Sequence, residues 1–304
     1  MIQLPPRREI KQQAKGWMLH PVCLRVTLLL VSVTMGLFGL QMLLDGNMGY
    51  LIGSLDKYGG SSTGIYRVED GFNVIFRMDL AGVVLALPVS YAKLRVFVAM
   101  NVLTFLVLAP LRLGVMEQYW NVLVKKEASV YSVFRWFTQP ARLVRALVVE
   151  FLLQGVVRFL GLIAMCPSLY CYYLFYTTTP TMESLTSGNA TLQFAASALA
   201  FLAVFFTFWL HCLLLPLRYC LAAHPEYRLR QVFVRGRRSV KGFDKAFFGF
   251  RSTYLLWFGA SSFTHFALDL FVLPYSSLGS MLYLQALGKA KQQEEKEERP
   301  SIQE

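Results

Sequence analysis

The sequence predicts an all-α polytopic membrane protein. It has about six transmembrane helices and two cytoplasmic amphipathic interfacial helices. Three observations lead there. The chain is 55% hydrophobic and only 16% charged over 304 residues, against roughly 25% charged for a soluble domain. The apolar residues gather into runs near the ~20 residues that cross a hydrocarbon core. The net charge of +12 sits in short loops beside those runs, the pattern of cytoplasmic membrane edges. The segments of about ten alternating residues that a β-barrel uses are not apparent.

Residues 1–21 form a tail bearing Arg7, Arg8, Lys11 and Lys15. The apolar run after it outlasts the 7–15 residues of a signal peptide, so 22–44 reads as a retained first span. An outer loop over 45–73 carries seven glycines, turn chemistry that opposes a regular helix. Residues 74–91 contain Arg77, Asp79 and Pro88 and read as an interfacial or re-entrant piece. Further spans are expected at 94–112, 146–174, 193–219, 246–264 and 268–287, with a charged tail over 289–304. The membrane domain is thus 22–288.

Charge sets the orientation. Loop 125–145 has five Lys/Arg, 177–191 has none, and 218–245 has eight. Rich and poor loops alternate, as the positive-inside rule requires. Both termini and the basic loops 125–145 and 220–245 are therefore expected to be cytoplasmic. Making 74–91 a full span would reverse that alternation.

Both basic loops keep helical spacing. Leu229, Val232, Phe233, Gly236, Val240 and Phe243 line one face, while Arg228, Arg230, Arg235, Arg237, Arg238 and Lys241 mostly lie off it. Pro225 suits a first helical position and Gly242 a carboxyl cap. Val130, Val133, Phe134 and Phe137 repeat the pattern before Pro140. Such helices lie flat at the headgroup layer. The partners implied are the bilayer, with anionic lipids, and a protein partner within the membrane. No aromatic-interleaved basic groove accompanies the charge, which argues against nucleic acid.

Pro110-Leu111-Arg112 recurs as Pro216-Leu217-Arg218, and Pro167-Ser168 has a counterpart in Pro274-Tyr275. These matches suggest a parallel internal repeat, an arrangement used by some transporters.

The run LRYCLAAHPEYRLRQVFVRGRRSVKG, the Trp257 span and Leu273-Pro274-Tyr275 resemble the bacterial integral membrane family called domain of unknown function 975. Pro110-Leu111, Gly114, Phe134 and Phe137 are similar to its upstream span end and loop. The resemblance covers roughly 94–288. It implies a topology and a bacterial cytoplasmic (inner) membrane, and no reaction.

Ionisable groups inside spans are costly and mark functional or paired interior sites. Glu150, Gln154 and Arg158 follow i, i+4, i+8 on the third span, where Gln154 could bridge the other two. Glu150 could equally lie at the inner interface beside Arg145. His265 and Asp269 follow i, i+4 near an outer turn, as a pair that carries protons or binds a cation, or as groups facing water. Arg112 and Arg218 are expected to reach the inner headgroups. The five cysteines form no CxxC and read as small apolar residues. No HExxH, GxSxG, P-loop or dinucleotide fingerprint occurs, so no catalytic residue, metal site or cofactor is assigned. Two readings remain. One is a scaffold or regulatory component working through its basic helices. The other is a small transporter using the third-span stripe.

Overall fold

The computed structural model describes residues 6–45, 65–70, 73–80, 83–88, 91–178, 187–263 and 268–297. Its body is helical, as the composition predicts. Five helices among the described residues are long and apolar enough to cross a membrane: Pro21–Gln41, Val98–Leu123, Pro140–Tyr172, Ala190–Ala223 and Asp269–Lys291. The chain is a polytopic helical membrane protein.

The first helix was not foreseen. Arg7–Met18 (α1) is amphipathic, with Ile10 and Ala14 buried. It packs along the last helix, and its Lys11 ammonium lies 5.1 Å from the centre of the ring of Tyr254, in the turn just before Leu255. Burial, with Arg7 beside it, lowers the Lys11 pKa below the ordinary lysine value. Pro21–Asp45 (α2) opens with proline, whose missing N–H costs nothing in a first turn.

Residues 74–91, read as an interfacial or re-entrant piece, contribute two strands. Ile65–Asp70 (β1), Asn73–Leu80 (β2) and Val83–Pro88 (β3) form an antiparallel meander in that order. Asp70 faces Asn73 and Leu80 faces Val83 in the register. The sequence of β2 alternates from Phe76 to Leu80, with Phe76, Met78 and Leu80 interleaved by Arg77 and Asp79, the period-2 pattern that favours a strand.

Tyr91–Leu123 (α3) carries Pro110 within it and runs well past the expected end at 112. The first basic loop is not one amphipathic helix. It is a 3-10 turn, Val130–Phe134, followed by the single helical turn Arg135–Thr138 (α4). Pro140–Glu150 (α5) has its proline in the first turn. A π-helical turn, Phe151–Val156, joins it to Val157–Thr178 (α6). Ser187–Ala223 (α7) has 37 residues, or about 55 Å at 1.5 Å per residue.

The second amphipathic helix is Leu229–Val240 (α8). Pro225 lies in the turn before it, not at its first position. The start is held by the Arg228 N–H donating to Gln231 Oε1 at 3.0 Å. Gly242 follows the helix at φ 89°, the left-handed conformation that a carboxyl cap needs. The expected span 246–264 is split into Asp244–Ser252 (α9) and Leu255–Phe263 (α10), nine residues each. Asp269–Glu297 (α11) runs on through most of the charged tail.

Burial divides the molecule in two. Among the largest fully buried side chains are Trp136, Tyr119, Tyr254, Tyr283, Phe247 and Phe250. They sit at the basic end, where α1, the 3-10 turn, α4, α8 and α9 pack onto helices that outlast the hydrocarbon core. Along the spans the pattern inverts. Phe194, Phe201, Val204, Leu162 and Ile163 are exposed, an apolar surface suited to lipid.

Candidate functional site

At the basic end the two Pro-Leu-Arg segments converge on one carboxylate. Glu150 closes α5 and is fully buried. Arg218 on α7 holds it bidentately, Nε donating to Oε1 at 2.5 Å and Nη2 to Oε2 at 2.7 Å. The fork of a guanidinium matches a carboxylate in this way, and charge assistance roughly doubles each bond. Gln154 Nε2 donates to Oε2 at 2.5 Å. Arg112 Nη1 stands 4.0 Å from the same oxygen. The expectation that Arg112 and Arg218 reach the headgroups is corrected for Arg218, whose side chain is only 12% exposed and committed to Glu150. A buried carboxylate outcompetes the rim because leaving it without a cation would cost several kcal/mol.

The stripe on the third span is therefore two things. Glu150 and Gln154 bond to each other, as i, i+4 spacing predicted. Arg158 makes no bond to Glu150; it lines a cavity that Gln154 and Arg112 also border. The π-helical turn begins at the residue after Glu150. His211 on α7 lies beside its Leu153 backbone, a proximity that sequence spacing did not suggest.

The cap around this cluster is seated by close approaches. A Cβ on Gly114 would stand 2.6 Å from the Val133 carbonyl oxygen, and one on Gly236 would stand 3.1 Å from Leu217 Cα. The Trp136 indole donates to Glu117 Oε2 at 2.6 Å. Arg145 Nη1 reaches the carbonyls of Pro225 and Tyr227 at 2.6 and 2.7 Å. That guanidinium ties α5 to the connection between α7 and α8.

Comparison of the chain with family models, with characterised proteins and with solved structures finds no match.

The predicted basic surface does form. Val232, Gly236 and Val240 are buried, while Arg228, Arg230, Arg235, Arg237, Arg238 and Lys241 are all exposed. Phe233 and Val234 are exposed beside them. Arg237 Nη1 donates to Asp244 Oδ1 at 3.0 Å. Arg235 stacks 4.4 Å over the Tyr227 ring and donates to its hydroxyl. The pairing expected of His265 and Asp269 lies outside the described residues at its histidine. Asp269 opens α11 and accepts a hydrogen bond from Ser261.

Proposed function

We propose that this chain is a non-enzymatic membrane scaffold or regulatory component, whose basic end contacts anionic lipid headgroups and a partner in the membrane. The supporting observation is α8. Its apolar face is spent on α7, so six cationic side chains and two apolar ones project together from the surface. Each Lys or Arg near an anionic leaflet contributes about 1 kcal/mol. Exposed Phe233 and Val234 suit the acyl boundary. The positive-inside rule and the resemblance of 94–288 to the uncharacterised bacterial family go with a bacterial cytoplasmic membrane and with both termini in the cytoplasm. The runner-up, a small transporter using Glu150, Gln154 and Arg158, has less support. Glu150 is already engaged by Arg218 and Gln154, so a migrating proton or ion would first have to break that cluster.

Thermal melting in a mild detergent tests the reading. Added phosphatidylglycerol should raise the midpoint of the purified protein by a few degrees more than phosphatidylcholine. Surface contacts are screened at 1 M salt, where the Debye length is about 3 Å, so most of that difference should vanish. The salt-sensitive part of the difference should also be lost in an Arg230→Glu, Arg238→Glu, Lys241→Glu variant. An unchanged lipid response in that variant would refute the role of α8.

A further inference from the structure

A cavity of about 520 Å³ lies between α2, α3 and the junction of the π turn with α6. That is the size of a small-ligand site. Its walls include Arg112, Arg158, Gln154 and Thr104, with Phe105 and Phe159 beside them. None of the described residues lining it is acidic. The Thr104 hydroxyl is buried and has no hydrogen-bond partner among the described residues.

The charges do not balance locally. Glu150 is bonded through both oxygens to Arg218 and through one to Gln154. Arg112, at 4.0 Å, is left outside hydrogen-bond range of it. Arg158 lies eight residues past Glu150 on the same span, beyond the π turn. Two guanidinium groups thus border one mostly apolar hollow within membrane-spanning helices. A cation in hydrocarbon is costly unless paired or hydrated. An oxyanion between them would satisfy both and give the Thr104 hydroxyl an acceptor.

The hollow is also open to lipid. Phe159 and Leu162, on its wall, are among the exposed apolar residues of α6. An acyl chain could lie along that surface while its headgroup sat between the arginines.

We infer that this cavity is a binding site for a phosphate-class oxyanion carried on an acyl chain, held by Arg112 and Arg158. The site is separate from the surface of α8. Salt distinguishes the two, because interior pairs are screened far less than exposed ones.

The test is native mass spectrometry of the full-length protein after a high-salt detergent wash. The wild-type chain should retain one phosphatidylglycerol and take up phosphatidylglycerol, not phosphatidylcholine, when lipid is added back. Arg158→Gln should weaken that uptake by about tenfold or more, the worth of a charge-assisted bond. The Arg230→Glu, Arg238→Glu, Lys241→Glu variant should keep it. Arg158→Gln leaves the Glu150 cluster whole, so its melting temperature should stay near that of the parent. A second variant, Phe159→Ser, places a polar group on the acyl path and should also weaken uptake. Retention of lipid by Arg158→Gln at parental affinity would overturn the proposal. So would loss of retained lipid in the α8 variant alone, or binding of inorganic phosphate as tightly as the lipid.

Discussion

Neutralising Glu150 should damage the fold more than removing the arginine that holds it. In Glu150→Gln the shape survives and the charge goes. Arg218, 12% exposed, and Arg112, 26% exposed, then face an amide with no compensating anion. Breaking a buried pair from one side costs about 3–5 kcal/mol. That is roughly 6–20 °C in melting temperature, taking 2–4 °C per kcal/mol for a large domain. Arg218→Gln is not the mirror image. Arg112 already waits 4.0 Å from Oε2 and needs to move only about 1 Å to reach hydrogen-bond distance. The carboxylate stays paired, so the loss should be about 1–2 kcal/mol. Arg112→Gln alone should cost less than about 1 kcal/mol, because its donors lie beyond bonding range. In the Arg218→Gln background the same change orphans Glu150, and the double variant should be far worse than the sum. Melting of the four proteins in one detergent decides it. Equal damage from Glu150→Gln and Arg218→Gln would refute the reserve role of Arg112, as would strict additivity.

Two further outcomes concern the cap. Gly114→Ala drives a methyl against a backbone oxygen 2.6 Å away, which no rotamer change can relieve, while the nearest atom to a Cβ at Gly236 is the movable Leu217 Cδ2 at 2.9 Å. Gly114→Ala should therefore cost about 1–3 kcal/mol and Gly236→Ala less; the reverse order in thermal melts would count against the packing. Arg145→Gln loses the bridge to the Pro225 and Tyr227 carbonyls, so amide exchange just before α8 should quicken about tenfold, and unchanged exchange there would mean the bridge holds nothing.

Much of this architecture could be read from local pattern. The spans were visible as apolar runs, and α8 as a 3.6-residue period with Gly242 at its end. The Glu150–Gln154 bond was visible as i, i+4 spacing. Pairing across the sequence lay beyond the reach of local pattern. Glu150 and Arg218 are 68 positions apart, and nothing in either neighbourhood names the other. Treating Arg218 as a headgroup anchor assumed an open rim, whereas α8 is packed over Leu217 beside it. The strands over 74–88 are a different case. There the alternation Phe76, Met78, Leu80 was present, but a span-length window averages a period of two away. The split between α9 and α10 has no such signal: residues 253–254 carry neither glycine nor proline, and the break goes with the buried Tyr254 packing edge-on to Tyr275 at 5.1 Å.

The repeated Pro-Leu-Arg segment gains its meaning from the residue that packs near each arginine. Just past Arg112 comes Gly114 on the span, a hollow that receives Val133 from the 3-10 turn. Just before Arg218 comes Leu217 on the span, a knob received by Gly236 of α8. Knob and hollow have changed sides, yet each closure brings a cap element to the same level as its arginine. A sequence match need not survive such an exchange, because packing constrains the sum of the two side chains and not which partner carries the bulk. The carboxylate is not duplicated. Glu150 serves both arginines from one side, binding Arg218 and leaving Arg112 at the edge of the cavity. The two arginines thus differ: Arg218 is satisfied by Glu150, while Arg112 is under-satisfied and borders the cavity between α2, α3 and α6.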